Sequence, residues 1–319
     1  MRIGMLILLV SLIHSAYAEL VRIDFEVKDI DGKPIAGAVI SISTSKRLSL
    51  PYQKPEKNKF SCTTGKDGAV TERFFCWDGY VNCHVSAEGF YSEKLPEMVF
   101  KTNYNRKTDR TEFFEDCQKV CVTLRPMRQP IPLYAYRGDE RYLRFGKKEC
   151  KIGYDLQKKD WIPPQGNGEV ADFYIHHWVE ITNNLTACYA EMTFSEGGGA
   201  YVERGINGLQ HPMVYCANTN NAYKLKFDGV RISDDSKKTL VEEKLVLQAS
   251  EALVIRSRVT LDENRRIVKA NYSKIYGPFS IARFFEFGQS CFNPNVNDTN
   301  LEFDTHKNLA DKNIGTFYP

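Results

Sequence analysis

The chain has 319 residues, of which 42% are hydrophobic and 26% are charged, with 21 glycines and 13 prolines. This composition excludes a collagen-like, disordered or low-complexity protein and predicts a globular one with one large domain or two ordinary ones. The formal net charge of +3 excludes a bulk positive field of the kind that collects nucleic acid, so no nucleic-acid partner is expected.

The first eighteen residues have the pattern of a secretory signal peptide. Arg2 precedes an apolar run from Ile3 to Ile13, and Ala16-Tyr17-Ala18 supplies the small residues of a cleavage site. The run is too short to cross a bilayer, and no later segment has the ~18 to 20 apolar residues of a transmembrane helix. We expect cleavage after Ala18 and a secreted, periplasmic or cell-surface protein without a transmembrane segment.

Residues 19–126 show the alternation of a β-sandwich. Inward apolar residues alternate with charged ones in the first predicted strand, as Val21, Ile23, Phe25 and Val27. The turn at Asp31-Gly32 predicts a hairpin with the next alternating stretch, around Ile40, and the polar stretch from Ser43 to Lys59 predicts a long loop. Further alternating strands are predicted at 70–75, 81–87 and 120–124.

Four segments of this region resemble the carboxypeptidase regulatory-like domain, which is a prealbumin-like β-sandwich. They are Asp29–Ile42, Thr63–Val70 with the turn Asp67-Gly68, Val85–Phe90 and Val120–Pro126. The segments cover about a third of the chain and consist of turn and core residues shared by many extracellular modules. The resemblance implies a non-catalytic accessory domain and specifies a fold rather than a function.

The second half of the chain continues the β pattern. Pro126, Pro130 and Pro132 predict a stiff linker at 127–134, and residues 135–319 predict a second domain. Alternation at 171–181, a turn at Asn183-Asn184 and a hairpin around residues 262–264 predict antiparallel strands, whereas 234–248 fits a helix or a strand. The sequence therefore predicts an all-β protein of two antiparallel β-sandwich domains, the first Ig-like or prealbumin-like and the second a sandwich or jelly roll.

The second domain resembles exported bacterial proteins to which no activity is assigned. The shared segments are Gly153-Tyr154-Asp155, Asp160-Trp161, Asn293-Pro294 and Asn300–Asp304. This resemblance implies export and no particular reaction.

The chain after Ala18 contains nine cysteines. They are Cys62, Cys76, Cys83, Cys117, Cys121, Cys150, Cys188, Cys216 and Cys291. An exported chain meets no reducing thiol pool, so disulfides are expected, and the odd number leaves at least one cysteine over. For Cys83 a small buried hydrophobic residue is an equal interpretation.

One predicted strand carries a row of recognition residues. Its polar face consists of Tyr174, His176, Trp178 and Glu180. Aromatic rings beside hydrogen-bonding groups on one sheet surface suit sugar rings, so this row predicts a carbohydrate platform. The alternative is a packing face in which Trp178 belongs to a core.

Near the C-terminal end lies a cluster of oxygen-bearing side chains. It comprises Asn295, Asn297, Asp298, Asn300, Glu302 and Asp304. This density is compatible with calcium, although the turn glycine of an EF-hand loop is missing. The alternative is a loop whose side chains hydrogen-bond its own backbone. No other cofactor is predicted.

Two sets of residues could support hydrolysis as an alternative to binding. His177, Glu180 and His306 have the ligand spacing of zinc carboxypeptidases, but residues three apart on a strand project to opposite faces. The second set is a pair of carboxylates that could cleave a glycoside, for which the candidates are Glu191, Glu196 and Glu203. The sequence favours an exported non-catalytic protein that binds carbohydrate or another envelope protein, with a secreted hydrolase as the alternative.

Overall fold

A computed structural model describes residues 19–46, 56–76, 80–100, 102–105, 110–113, 117–142, 149–182, 184–204, 214–282 and 284–310. The predicted signal peptide lies outside these residues. The described residues contain strands, turns and isolated bridges but no α-helix, and therefore no helix long and apolar enough to span a membrane. The prediction of an all-β protein is confirmed. The chain divides into two compact units, Met1–Met127 and Arg128–Pro319.

Ten strands belong to the first unit. They are β1 (Glu19–Asp29), β2 (Val39–Lys46), β3 (Glu56–Thr63), β4 (Ala69–Cys76), β5 (Tyr80–Ser86), β6 (Glu93–Lys94), β7 (Met98–Val99), β8 (Thr102–Asn105), β9 (Arg110–Phe113) and β10 (Cys117–Leu124). One sheet has the order β10-β1-β4, a second has the order β3-β2-β5-β6 with β7 also on β5, and β8 pairs with β9.

The core of the first unit lies between its two larger sheets. The four inward residues predicted for β1 are all 2% exposed or less, and they share one apolar cluster with Ile40 of β2, Phe74 of β4 and Val85 of β5. The alternation along β1 is therefore explained by burial of one face against the second sheet.

Two details of strand pairing differ from the sequence prediction. The predicted β1–β2 hairpin is wrong, because β1 pairs with β4 and β10 whereas β2 pairs with β3 and β5. Only an isolated bridge between Lys28 and Pro34 remains of it. In addition, β1 and β10 are parallel. The hairpin does not form because the chain between β1 and β2 crosses from one sheet to the other. β1 and β10 can be parallel because they are far apart in sequence and no short turn forces them to be antiparallel.

The predicted loop from Ser43 to Lys59 is also wrong at both of its ends. The β2–β3 ladder runs from the pair Val39 and Thr63 to the pair Lys46 and Glu56. The sequence of these strand ends is polar, so it lacks the apolar signal that marks a strand.

The predicted turn at Asp67-Gly68 depends on its glycine. Gly68 has a φ of +71°, and a Cβ at this position would lie 2.5 Å from the Val27 carbonyl oxygen. The Val27 amide donates a 2.8 Å hydrogen bond to the Gly68 carbonyl. A side chain would disrupt the contact that joins this turn to β1.

Eleven strands form the second unit. They are β11 (Tyr134–Tyr142), β12 (Glu149–Asp155), β13 (Asp160–Trp161), β14 (Phe173–Thr182), β15 (Leu185–Thr193), β16 (Gly199–Arg204), β17 (Lys226–Asp234), β18 (Thr239–Lys244), β19 (Glu251–Leu261), β20 (Ile267–Ser280) and β21 (Phe284–Phe292). The six-stranded sheet has the order β13-β12-β14-β15-β17-β18, and the five-stranded sheet has the order β11-β21-β20-β19-β16.

An aromatic core joins the two sheets of the second unit. Tyr154 of β12 contacts Phe285 of β21 at 4.6 Å between ring centroids and stacks on Phe173 of β14 at 5.5 Å. The predicted hairpin around residues 262–264 is confirmed as the β19–β20 ladder. Segment 234–248, for which helix and strand were both open, contains a turn and β18.

The proline-rich segment that the sequence assigns to a linker contributes to the second unit. The Glu302 carboxylate accepts hydrogen bonds from the backbone amides of Arg128 and Gln129 at 2.7 and 2.6 Å. Ile131 forms a bridge with Phe303, and Leu133 is fully buried. The prolines extend this backbone, and the amides of Arg128, Gln129 and Ile131 find acceptors that hold it in place.

Candidate functional site

The outer face of the six-stranded sheet carries the row of β14 residues selected from the sequence. The inward residues Phe173, Ile175 and His177 are buried, whereas the alternate residues reach solvent. Those alternate residues are Tyr174, His176 and Trp178, each half-buried, and Glu180, which is exposed. Because side chains alternate along a strand, the four stand in one row on the solvent side.

A further aromatic residue joins this row from the neighbouring strand. Tyr189 of β15 lies opposite Trp178 in the ladder, and the two rings stack with 5.4 Å between centroids at an interplanar angle of 19°. The His176 ring lies 5.2 Å from the Trp178 ring. The three rings form a continuous strip, and we call this strip together with Tyr174 and Glu180 the aromatic face.

Tyr189 was missed in the sequence, although a signal for it exists. A two-residue turn at Asn183-Asn184 places Thr182 opposite Leu185, and counting back along both strands then places Trp178 opposite Tyr189. The structure has this register. Pairing across a predicted turn therefore locates a ring that the alternation of one strand does not reveal.

Charged side chains of β12 border the aromatic face on one side. The Glu149 carboxylate lies 2.7 Å from His176 Nε2. Lys151 Nζ lies 5.3 Å from the centre of the Tyr174 ring, within the range of a cation–π contact. Neither residue was selected from the sequence, because both stand on a strand that is distant along the chain.

An ion pair borders the other side of the face. Glu191 of β15 lies opposite His176 and pairs with Lys226 of β17. The pKa of Lys226 is raised, mainly because Lys226 donates a hydrogen bond to Glu191. Asp228 lies 3.7 Å from the same lysine. The rings are thus bordered by hydrogen-bonding groups on both sides, which is the combination that holds a sugar ring.

A buried ion-pair network holds β12 and β14 in position. The Asp172 carboxylate accepts hydrogen bonds from Arg258 Nε at 2.9 Å, the Ser257 hydroxyl at 2.6 Å and the Leu156 amide at 2.7 Å. Arg258 also donates to Asp155 at 2.8 Å. Because Asp155 ends β12 and Asp172 precedes β14, the guanidinium joins the two strands that carry most of the face and its border.

The structure does not bring the zinc candidates together. His177 is buried on the inner side of β14. Burial lowers its pKa, although a hydrogen bond with the Ala282 backbone acts in the opposite direction. Its Nε2 has no hydrogen-bond partner among the described residues. Glu180 points to the opposite face, and His306 lies after Asp304 in a separate turn. Within the described ranges, no three His, Cys, Asp or Glu side chains form a group that could hold a metal ion.

The three candidate catalytic glutamates lie on different elements. Glu191 on β15 pairs with Lys226, whereas Glu196, in the loop that follows β15, pairs with Arg265. Glu203 is on β16 of the other sheet. They do not face one another as a carboxylate pair.

The candidate calcium ligands lie in one segment, where most of their side-chain oxygens accept backbone amides. Oδ1 of Asp298, Asn300 and Asp304 each accepts the amide two residues further on, at 2.8 to 2.9 Å. Asn297 Oδ1 accepts the Ala270 amide at 2.9 Å, and Glu302 accepts the two amides described above. Asn295 is exposed. These contacts correspond to the alternative in which the loop bonds the protein's own backbone.

The disulfides expected of an exported chain are absent from the structure: all nine cysteines lie in the described residues and none is in a disulfide. Cys117 and Cys121 lie four residues apart on β10, which is ~13 Å along a strand. Cys62 and Cys83 lie on β3 and β5 with β2 between them and are offset by two residues, which places them ~12 Å apart. Both separations exceed the ~7 Å that a disulfide spans between Cα atoms.

Comparisons with known proteins assign no family. No protein-family model matches the chain, and no curated protein matches it. Among solved structures, 3-chlorocatechol 1,2-dioxygenase from Rhodococcus opacus 1CP is similar at 12% identity, over 36% of this chain and 63% of that chain, with a TM-score of 0.26. Hydroxyquinol 1,2-dioxygenase from Pseudomonas putida DLL-E4 is similar at 9% identity over 35% and 58%, with a TM-score of 0.26. The chain thus matches less than two thirds of the length of these two enzymes.

A third similar structure matches over most of both chains. BcpA, the major pilin subunit of Bacillus cereus, has 10% identity over 92% of this chain and 98% of that chain, with a TM-score of 0.24. Structural similarity this weak assigns neither a fold nor a function to the chain.

Proposed function

We propose that the protein is an exported, non-catalytic carbohydrate-binding protein whose ligand lies on the aromatic face. The observation that supports this proposal is the strip of His176, Trp178 and Tyr189, whose rings touch one another and are only half-buried. Sugar rings have apolar C–H faces and hydroxyl rims, so they stack on aromatic rings while bordering polar groups bind the hydroxyls.

The charges around the face favour neutral or amine-bearing sugars. Carboxylates that flank the rings on this side of the sheet include Glu149, Glu180, Glu191 and Asp228, and the lysines beside them include Lys151 and Lys226. Carboxylates accept hydrogen bonds from sugar hydroxyls and repel sugar acids. A ligand rich in hydroxyl or amino groups therefore fits better than a uronate or a sulfated chain.

The proposal includes a role for the first unit as an accessory domain of the carboxypeptidase regulatory-like kind. Its support is the sequence resemblance around Asp31-Gly32 and Asp67-Gly68, together with two sheets that enclose one apolar cluster. Export is part of the same proposal and is supported by the signal pattern of residues 1–18. Cleavage after Ala18 is checked by sequencing the N-terminus of the protein recovered outside the cytoplasm.

The experiment is a glycan array of neutral and amino sugars, followed by affinity measurement on the best ligand. Trp178→Ala should weaken binding at least ~10-fold, or ~1.4 kcal/mol, because a central stacking ring is removed. Trp178→Phe keeps a ring and should retain most of the affinity. The matched control is Phe75→Ala, which removes an aromatic side chain that is 54% exposed in the first unit.

Three outcomes contradict the proposal. They are an array without any ligand, a Trp178→Ala variant that binds like the wild type, and an equal loss in Phe75→Ala. Hydrolysis of the bound glycan, or stoichiometric zinc that is lost in His177→Ala, would establish the hydrolase instead.

A further inference from the structure

A groove of about 500 Å³ lies on the outer face of the β3-β2-β5-β6 sheet in the first unit. Its floor consists of short polar side chains on three adjacent strands: Ser61 of β3, Ser41 and Ser43 of β2, and Asn82 of β5. Ser41 and Ser61 are directly opposite each other, as are Ser43 and Asn82. Short side chains leave the sheet surface low at this point, so an extended ligand can approach the backbone. We call this surface the serine groove.

Basic side chains stand at both sides of the serine groove. Lys59 rises from β3 and Lys94 from β6, and both are exposed. With strands ~4.8 Å apart, β3 and β6 are separated by ~14 Å. His84 of β5 lies between them, opposite both Ser41 and Lys94. The basic groups are therefore distributed across the groove and are not concentrated at one point.

The described residues that line the groove include no carboxylate. The nearby acid is Glu97, whose Oε1 lies 3.5 Å from the Asn82 amide nitrogen at the edge. Among the described lining residues, two lysines and no carboxylate leave the groove positive, although the whole chain has a formal net charge of only +3. A positive surface with hydroxyl groups between its cations is complementary to a ligand that carries both anions and hydroxyls.

The aromatic content of the groove distinguishes nucleic acid from acidic polysaccharide as a ligand. Single-stranded nucleic acid binds by stacking bases on aromatic rings. The aromatic residue in the lining is Phe60, whose ring packs on Phe74 in the core at 5.3 Å between centroids. An acidic polysaccharide needs no stacking, and its hydroxyl groups match the serine and asparagine side chains of the floor.

We infer that the serine groove binds an acidic polysaccharide, with Lys59 and Lys94 contacting its anionic groups and the serine hydroxyls contacting its sugar hydroxyls. This site is in the first unit and is separate from the aromatic face. It differs from that face in ligand charge, so the protein has one surface for anionic glycans and another for neutral or amine-bearing ones.

The experiment measures binding of the full mature chain to immobilised polygalacturonate and dextran sulfate, with dextran as the uncharged polymer and single-stranded DNA as a different polyanion. The wild type should bind at least one acidic polysaccharide and should not bind dextran. Lys59→Ala/Lys94→Ala should weaken this binding at least ~10-fold. The control Lys33→Ala/Lys66→Ala removes the same charge from two exposed turn residues of the same unit and should change affinity less than twofold.

A second pair of variants tests the floor of the groove. Ser41→Glu places a carboxylate among the cations and should abolish binding, whereas Ser41→Gln has similar size without the charge and should bind more tightly than Ser41→Glu. Thermal unfolding of all variants should match the wild type, since these residues are at the surface. Trp178→Ala should leave acidic-polysaccharide binding unchanged, which separates this test from that of the proposed function.

Four results overturn the inference. The first is a lack of binding to either acidic polysaccharide, and the second is an equal loss in the control lysine variant. The third is a Ser41→Glu variant that binds like Ser41→Gln. Tighter binding of single-stranded DNA than of both polysaccharides at the same salt concentration is the fourth, because it replaces the proposed ligand class.

Discussion

Replacing Arg258 by methionine should destabilise the second unit strongly. The guanidinium donates to Asp155, Asp172 and Gln157, and it lies 4.3 Å from the centre of the Phe292 ring. The Asp172 side chain has no exposed surface. Methionine fills much of the volume but leaves this carboxylate without a counter-ion, so the cost is that of an uncompensated buried charge.

The magnitude follows from the contacts that are lost. Removing one partner of a buried pair costs ~3–5 kcal/mol, whereas Asp155 retains the backbone amides of Lys158, Glu169 and Val170 as donors. For a unit of this size the loss corresponds to a Tm lower by ~6–20 °C. The control is Arg265→Met, which breaks an exposed ion pair with Glu196 and should cost no more than ~1 kcal/mol.

The pH dependence identifies the orphaned carboxylate. Burial raises the pKa of Asp172 even though Arg258 acts in the opposite direction. Without Arg258 this pKa rises further, so on acidification the carboxyl takes up a proton at a higher pH than it does in the wild type. The difference in the free energy of unfolding between wild type and Arg258→Met should therefore be largest near neutral pH and should shrink on acidification.

Urea titrations of both proteins at several pH values measure this difference. Arg258→Met/Asp172→Asn removes the orphaned charge and should recover ~1–3 kcal/mol relative to Arg258→Met at neutral pH. A cost no larger than that of Arg265→Met, or a cost that is the same at every pH, would refute the reasoning.

Three further predictions concern other buried groups. Glu302→Ala should lower the free energy of unfolding by ~2–4 kcal/mol in urea titrations, because two backbone amides lose a charged acceptor; a loss below ~1 kcal/mol would contradict this. Burial lowers the pKa of His177, so the unfolded chain binds this proton more readily and wild-type stability should fall as pH drops through ~6.5. His177→Leu should show a smaller fall between about pH 7.5 and 5.5, and an identical slope would rule this out. Burial raises the pKa of Cys83 to about 12 and of Cys291 to about 11, whereas Cys121 is exposed. Peptide mapping after brief native alkylation should find Cys121 modified and the other two protected, and equal labelling of all three would show that the thiols are not buried.

Features that depend on one short segment of the sequence could be predicted. The alternation in β1 and β14 identifies the buried face of each, because successive side chains of a strand point to opposite faces whatever the partner strand is. The β19–β20 hairpin could be predicted for a similar reason, since a short turn places two neighbouring strands together. The row of Tyr174, His176 and Trp178 follows from the same local geometry.

Contacts between distant segments could not be predicted in this way. Alternation does not reveal that β1 lies between β4 and β10, that Glu149 lies beside His176, or that Arg258 joins two strands about a hundred residues before it. The serine groove could not be predicted because it combines side chains of β2, β3, β5 and β6, whose pairing no single segment reveals, and because the start of β3 has a polar sequence that resembles a loop.

By itself, the sequence determined the all-β class, the inward and outward faces of the main strands and the aromatic residues of β14. Only the tertiary structure decided which strands are neighbours, which cysteines lie too far apart for a disulfide, and which charges surround each face. The physical reason is that alternation and turns depend on residues a few positions apart. Pairing and burial depend on the whole chain packing around its cores.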